Sequence, residues 1–515
     1  MQLGEVAARG ADEADAAGHT AGHCGLLYSP AMQKDVRTLA RGGGTLLLAT
    51  LVGNALLLVL DVYLNGVLGN EAYGLFGVLR RILQFAGFVV LLGMENAVIR
   101  FVAMDPERGG ATVRRAGIAT VVASLALMGV AIAGADVFAA WIDPGPDTAR
   151  ALRIGALSLP LAAVRTVAVS ASQGWKVIWH RAAVMFVAWP LVQLAGVALL
   201  AQALGMGIIG AMWAWTASMG FGAALAVGLL ARGRTLGREA APLGPLLQFA
   251  WPGWVQGMLM AAYTWVDQVV LAGVRSTTDA GFYGPVAARA PLLGFGLGAL
   301  NGQFAPIIAE KHEQGDTEGL QRLYRTVTRW AVAFAVPPMV VCVVLPEAVL
   351  GLWPNASPTA ATALRIACLA QLFYTGVGSV NYLLIMAGQQ RQALYNGVPA
   401  LALNLGLAFA LAPRWGVTGA AVANAAAMCA ANGLGLWQVW HFLRLHPFDR
   451  NLAKPLLAAI PTGVVVWMAH GLSPLFAVVG GGLAGGVTFL AVMALLGLDE
   501  DDRAVVVAVR KRMGA

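Results

Sequence analysis

Hydrophobic residues in this chain do not alternate with polar ones; they come in long runs. About fourteen runs approach the ~20 residues a helix needs to cross a bilayer, near 43–68, 75–103, 113–134, 149–172, 181–203, 207–231, 246–273, 281–309, 325–351, 359–387, 393–412, 417–442, 454–471 and 474–497. Polar residues concentrate in the short stretches between them, so the pattern predicts membrane-spanning helices. Barrel strands would instead alternate apolar and polar positions over ~10 residues. Composition agrees: the chain is 58% hydrophobic and 12% charged, where soluble domains are roughly 25% charged.

The first twelve runs fall into two sets of six that share local sequence. Asp61, Gly74-Leu-Phe-Gly77 and Arg81 return as Asp267, Gly281-Phe-Tyr-Gly284 and Arg289. Ala151-Leu-Arg153-Ile returns as Ala363-Leu-Arg365-Ile, and Gly207-Ile-Ile-Gly210-Ala returns as Gly416-Val-Thr-Gly419-Ala, all at separations of 206 to 212 residues. An even number of crossings leaves both units in the same orientation. They are then related by a pseudo-two-fold axis along the membrane normal, and repeats of this kind frame transport sites at their interface. The Gly-x-x-Gly-Ala pair is expected to be a surface for close helix packing.

The expected architecture is therefore an all-α polytopic membrane protein of about fourteen helices. Residues 1–40 form a disordered N-terminus, 41–231 an N-lobe of helices 1–6, 232–245 a basic linker and 246–443 a C-lobe of helices 7–12. Residues 444–498 hold helices 13 and 14, which have no counterpart in the repeat, and 499–515 form a tail. Residues 1–40 lack an apolar run that would serve as a signal peptide. Met32-Gln-Lys-Asp-Val-Arg37 has the character of a start, so residues 1–31 are expected to be disordered or an upstream extension. A native peptide beginning at residue 1 or 2 would exclude the extension.

The net charge of +8 is unevenly placed. One set of loops collects Arg108, Arg114, Arg115, Lys176, Arg181, Arg232, Arg234, Arg238, Lys311, Arg322, Arg325, Arg329, Arg391, Arg444, Arg450 and Lys454. The other set holds Arg150, Arg275 and Arg414 beside Asp136, Asp143, Asp147, Asp279 and Glu347. This positive-inside asymmetry puts both termini in the cytoplasm of a bacterial inner-membrane protein. It argues against nucleic acid as a partner.

Cys24, Cys342, Cys368 and Cys429 have no metal-ligand spacing, and no metal or cofactor is expected. The loops carry no Walker motif, and the short outer loops disfavour a membrane polysaccharide polymerase.

Charges inside apolar helices cost at least ~2.5 kcal/mol on insertion scales and default to functional candidates. They are Asp61, Arg80, Arg81, Glu95, Arg100, Arg165, Asp267 and Arg289. Asp61 lies roughly 10 Å below the outer end of helix 1 at 1.5 Å per residue, level with Arg81 on helix 2; Asp267 and Arg289 repeat the relation. Either each pair clips two helices together, or the groups face a wet cleft between the lobes. In the second reading Arg81, Arg289 and Arg80 would hold a diphosphate with planar, bidentate guanidinium forks. Asp61, Asp267 and Glu95 are the matching ion-pair or coupling candidates, the coupling ion being H+ or Na+. Glu95 and Arg100 also read as a local interfacial pair. Helix 7 adds Trp254, Tyr263 and Trp265, either packing groups or a gate that stacks on sugar rings.

With these residues in place, the chain resembles the oligosaccharide and polysaccharide flippases of the multidrug/oligosaccharidyl-lipid/polysaccharide exporter superfamily. The resemblance spans roughly 33–450. It rests on Leu64-Asn-Gly-Val-Leu-Gly69 with Glu71-Ala-Tyr-Gly-Leu-Phe76, Leu92-Gly-Met-Glu-Asn-Ala-Val-Ile-Arg100, Tyr263-Thr-Trp-Val-Asp267, Ala280-Gly-Phe-Tyr283, Phe304-Ala-Pro-Ile-Ile-Ala-Glu310 and Leu320-Gln-Arg-Leu-Tyr-Arg325. It implies two six-helix bundles in a V that opens alternately to each side. The implied activity is movement of a polyprenyl-diphosphate-linked oligosaccharide from the cytoplasmic to the outer leaflet, without enzymatic turnover. That serves cell-surface polymers such as lipopolysaccharide or exopolysaccharide, with membrane lipid and polysaccharide-assembly proteins as further partners. Helices 1, 2, 7 and 8 would line a cationic cavity. The arginine-rich first helix of the peptidoglycan-precursor flippases is missing here. Alternatives are a multidrug or organic-cation antiporter of the same superfamily, a polymerase or a scaffold.

Overall fold

A helix satisfies its own backbone hydrogen bonds, which makes it the available form for an apolar segment in hydrocarbon. The computed structural model describes residues 30–232, 242–355 and 357–497, at 30–51, Arg289 and some of its neighbours for the backbone alone. Among the described residues there is no strand. Residues 1–29, 233–241 and 498–515, and with them much of the expected termini and linker, lie outside the description.

The crossings are α1 and α2, both within Pro30–Leu91 and separated at Gly69, with α2 continuing as Met94–Met104. Then come α3 (Gly109–Ala133), α4 (Pro146–Gly174), α5 (Ile178–Ala203), α6 (Gly207–Ala231) and α7 (Leu243–Val274). Next, α8 runs as Thr277–Arg289, a 3-10 turn Ala290–Gly294, and Phe295–Glu313. The C-lobe closes with α9 (Thr317–Val344), α10 (Thr359–Met386), and α11 with α12 in Gln390–Leu443, separated at Gly416. Helices α13 (Ala453–Trp467) and α14 (Pro474–Leu495) follow. Ten helices meet the length and hydropathy needed to span a membrane. Two of these, Val52–Leu91 and Tyr395–Leu443, are each broken at a glycine into two antiparallel helices.

Gly69 (φ 71, ψ 172) and Gly416 (φ 55, ψ −129) sit where α1 turns into α2 and α11 into α12. The positive φ is cheap for glycine alone, which lets two antiparallel helices meet without a loop. Helix α9 starts eight residues before its apolar run. Asp316 caps it, accepting from the Gly319 amide at 2.8 Å, and the Lys311 ammonium at 2.6 Å holds this carboxyl below the usual carboxylate range. Hydropathy marks where a helix enters hydrocarbon, whereas the cap marks where it begins.

The duplication is visible in the packing. A Cβ on Gly210 would stand 2.6 Å from the Leu200 carbonyl carbon, and one on Gly419 2.6 Å from that of Leu411. Both small-residue motifs thus hold α6 to α5 and α12 to α11 at backbone contact. The repeated arginines match as well. Arg153 pairs with Asp136 at 2.6 Å, and Arg365 with Glu347 at 3.3 Å, each half-exposed at the face away from the basic loops. The N-lobe core gathers Leu64, Phe76, Leu79, Met212 and Trp215. The C-lobe core gathers Val336, Val340, Leu364 and Cys368, with Val466 of α13 and Phe489 of α14 packed on it.

Candidate functional site

The lobes meet along α2. Its Gly74 abuts α8 so closely that a Cβ there would overlap the Thr277 carbonyl oxygen and stand 2.5 Å from the Gly281 nitrogen. Lower down, Trp254 Nε1 of α7 donates to the Phe88 carbonyl at 2.9 Å, and the rings of Phe88 and Trp265 are 5.8 Å apart. At the end of α2 near the basic loops, the Arg100 guanidinium lies over Phe249 at 4.6 Å. Among the described residues no ion pair joins Arg100 to Glu95, and Glu95 keeps a buried carboxylate oxygen without a hydrogen bond.

At the face away from the basic loops the seam is locked. Asn65 of α1 accepts from the Asn355 backbone amide at 3.1 Å, and its own carbonyl accepts from Asn355 Nδ2 at 2.8 Å. Trp353 Nε1 donates to Asp61 Oδ2 at 3.3 Å. The Trp141 ring covers Gly273, where a Cβ would be 2.7 Å away.

Beneath this seal lies a cavity of about 880 Å³, walled largely by α7, α8, α10, α11 and α12. The N-lobe contributes Asn54 and Phe186. Asp267 and Tyr283 form its roof. From there it runs along α7 past Tyr263 to Gln256, roughly 16 Å toward the basic face at 1.5 Å per residue. Its described lining sets neutral polar and aromatic groups, among them Asn381, Asn424, Asn432, Gln371, Tyr374 and Tyr382, among aliphatic walls of Leu, Met, Val, Ile and Ala. Asp267 is the one charged residue in that lining. Amides and hydroxyls donate and accept without a net charge, which matches the hydroxyl-rich surface of a sugar; the tyrosine rings add flat apolar faces.

The roof joins groups from both lobes. Asp267 is 1% exposed; its Oδ1 accepts from the Gln268 amide at 2.8 Å and its Oδ2 from the Tyr283 hydroxyl at 2.6 Å. Gln268 Nε2 donates to the Ala280 carbonyl at 2.8 Å, so the α7–α8 hairpin is clipped on both sides of the acid. Arg81, 8% exposed, comes from α2 of the other lobe. It interacts electrostatically with Asp267, Tyr283 and Tyr73, and its Nε is buried without a hydrogen bond.

The expected acid–base pairs were drawn within each lobe. Among the described contacts, Asp61 accepts from Trp353 and Asp267 from Tyr283, and Arg81 shares its field with the acid of the opposite lobe. The side chain of Arg289 lies outside the description. Arg80 rests over Phe76 at 5.7 Å with its Nε buried, and Arg165 is buried in the N-lobe against Gly222.

Of the helix 7 aromatics, Tyr263 lines the cavity, whereas Trp254 and Trp265 face α2. Helical geometry explains the split. Eleven residues at about 100° each return Trp265 to within about 20° of Trp254, whereas Tyr263 falls about 180° away. Depth alone did not distinguish these faces. Tyr283 was within reach of sequence reasoning, because it lies in the repeated Gly281-Phe-Tyr-Gly284 turn next to Asp267. Trp353 and Asn355 belong to a loop that carries no such signal. Among the described residues no group of three or more His, Cys, Asp or Glu could hold a metal.

A family model described as "Polysaccharide biosynthesis protein" matches residues 39–301. No curated protein matches the chain. Among solved structures, the chain is similar to the lipid II flippase MurJ in an inward closed conformation. The TM-score is 0.69 at 14% identity, covering 88% of this chain and 98% of that one. It is also similar to an inward-facing multidrug resistance MATE family transporter of the MOP superfamily (0.65, 13% identity, 76% and 94% covered). An outward-facing MATE family transporter gives 0.58 at 15% identity, with 78% and 95% covered. At such identities these likenesses speak for the fold, and the family match speaks for descent. With more than half of its length matched, the chain belongs to the polysaccharide biosynthesis protein family, and it is a multi-pass membrane protein that shares the fold of the flippase and the transporters above.

Proposed function

We propose that this protein flips a polyprenyl-diphosphate-linked oligosaccharide from the cytoplasmic to the outer leaflet of a bacterial inner membrane. The observation that carries the reading is the cavity. It is large, its apolar walls carry eight side-chain amides and four tyrosines, and it is capped by an acid of one lobe that shares its field with an arginine of the other. The saccharide occupies the polar chamber while the lipid tail stays in the bilayer. A diphosphate entering near the roof competes with Asp267 for Arg81, which frees the carboxylate to take up H+ or Na+. That exchange weakens the cross-lobe attraction where the seal must part. The basic loops then face the cytoplasm, and with the opposite face sealed by the Asn65–Asn355 and Trp353–Asp61 contacts, the saccharide enters the cavity from the cytoplasmic side.

The lone acid in the described lining favours a second reading, an organic-cation antiporter. One assay distinguishes them: proteoliposomes holding the purified protein, offered either a fluorescent short-chain polyprenyl-diphosphate disaccharide or ethidium. The first reading expects inversion of the disaccharide lipid, its loss in Arg81→Gln, and no proton-driven ethidium uptake. Ethidium uptake with no lipid inversion would overturn it.

A further inference from the structure

A second cavity, of about 400 Å³, lies at the basic face, outside the transport chamber. It is formed where the start of α9 meets the segment that links α12 to α13. Arg322, Arg325 and Arg329 face it from α9, at spacings of three and four that put them on one side of the helix. Arg444 faces it from the link, so four guanidiniums share a space with two carboxylates, Glu318 and Asp449.

Four guanidiniums against two carboxylates leave the described lining with a surplus of positive charge. Glu318 is exposed, and Asp449 Oδ1 is engaged by the Leu452 amide at 2.8 Å. Arg325 donates through Nη2 to His446 Nε2 at 3.0 Å, and its Nε is buried without a hydrogen bond. The site is also braced. Gln321 Nε2 donates to the His446 carbonyl at 2.5 Å, and Gln321 Oε1 accepts from the His446 amide at 3.1 Å. This fixes the link against α9. Arg444 adopts φ 57, the left-handed region that a side chain enters at a cost, and that conformation ends α12 at the rim of the cavity.

The surroundings say where the site sits. Trp437, Trp440, Phe442 and Phe448 are all about half exposed beside it, and the Arg444 guanidinium lies 5.7 Å from the Trp440 ring. Exposed Trp at the end of a membrane helix marks the headgroup level. Basic pockets between membrane helices at that level suit phosphate headgroups.

We infer that the α9–link pocket binds the phosphoryl group of an acidic phospholipid of the leaflet at the basic face. Bidentate guanidinium bonds to the phosphate balance the surplus charge, and the exposed aromatics accommodate the upper acyl chains. The site ties the start of α9, and through the link the α13–α14 pair, to the membrane surface. Its occupancy is independent of what the central cavity carries.

The test is native mass spectrometry of the full chain released from detergent with phosphatidylglycerol or phosphatidylcholine of identical acyl chains. The wild type is expected to retain one phosphatidylglycerol about tenfold more tightly than phosphatidylcholine, and Arg322→Gln/Arg325→Gln/Arg444→Gln to lose that preference. Should the triple variant not elute as a single folded species, Arg322→Gln/Arg444→Gln replaces it, since both side chains are exposed. Equal retention of the two lipids, or an undiminished preference in the variant, overturns the inference. A competition arm separates the sources of phosphate: displacement of the lipid by millimolar inorganic phosphate would assign the pocket to a soluble anion and overturn the lipid assignment.

Discussion

Gly74 of α2 and Gly281 of α8, equivalent positions of the two repeats, stand backbone to backbone, with the Gly281 nitrogen 2.5 Å from where a Gly74 Cβ would lie. The duplicated turn of one lobe thus closes on its own copy in the other. Neither helix can accept a side chain at this crossing without moving apart.

Gly74→Val is therefore expected to hold the lobes apart at that face. The measurement is labelling of Thr264→Cys, an exposed position lining the cavity, by a maleimide that cannot cross the membrane and is added from the outer side. Labelling should rise severalfold over the Thr264→Cys parent, with polysaccharide export reduced. Unchanged labelling with normal export would show that this crossing does not seal the transport path.

The Asn65–Asn355 lock should be weaker and additive. Asn355→Ala removes the Nδ2 bond, worth about 1 kcal/mol, and keeps the backbone amide bond. The closed state should be populated about fivefold less, read by the same labelling at a smaller amplitude than for Gly74→Val. An effect larger than that of Gly74→Val would make the amides the main seal.

At the roof, charge and hydrogen bonding separate by substitution. Asp267→Asn keeps an acceptor for Tyr283 but removes the charge beside Arg81; Tyr283→Phe does the reverse. If the carboxylate couples the cycle, Asp267→Asn should reduce export at least tenfold with normal membrane abundance. Tyr283→Phe should cost only a few fold, in line with about 1 kcal/mol for one hydrogen bond. Equal losses, together with lost protein, would point to a structural clip.

Arg81→Lys tests the fork. An ammonium preserves the charge next to Asp267 but cannot make two parallel bonds to a phosphate. Inversion of the disaccharide lipid should fall at least tenfold while the protein remains folded. Full activity would count against bidentate diphosphate binding.

On α7, Tyr263→Ala should impair transport without affecting abundance, because the ring lines the cavity. Trp254→Phe should lower the thermal stability of the purified protein by a few degrees, because it deletes the bond to the Phe88 carbonyl that bridges the lobes. A reversed pattern would place the cavity on the other face of α7.

Run length and the repeated Gly-x-x-Gly-Ala and Ala-Leu-Arg-Ile segments determined by themselves that this chain is a duplicated helical bundle. These are local signals: an apolar run must be helical in hydrocarbon, and a small residue at a fixed step permits one close contact. The candidate charges were legible too, because burying any charge is expensive wherever it points. Their partners were not. Whether Asp61 meets Arg81 or Trp353, and whether Trp254 or Tyr263 faces the chamber, depends on helix rotation and on how the two lobes are docked. The tertiary structure alone decided that Arg81 falls within electrostatic range of the opposite lobe's Asp267, since that relation arises from packing between segments nearly two hundred residues apart.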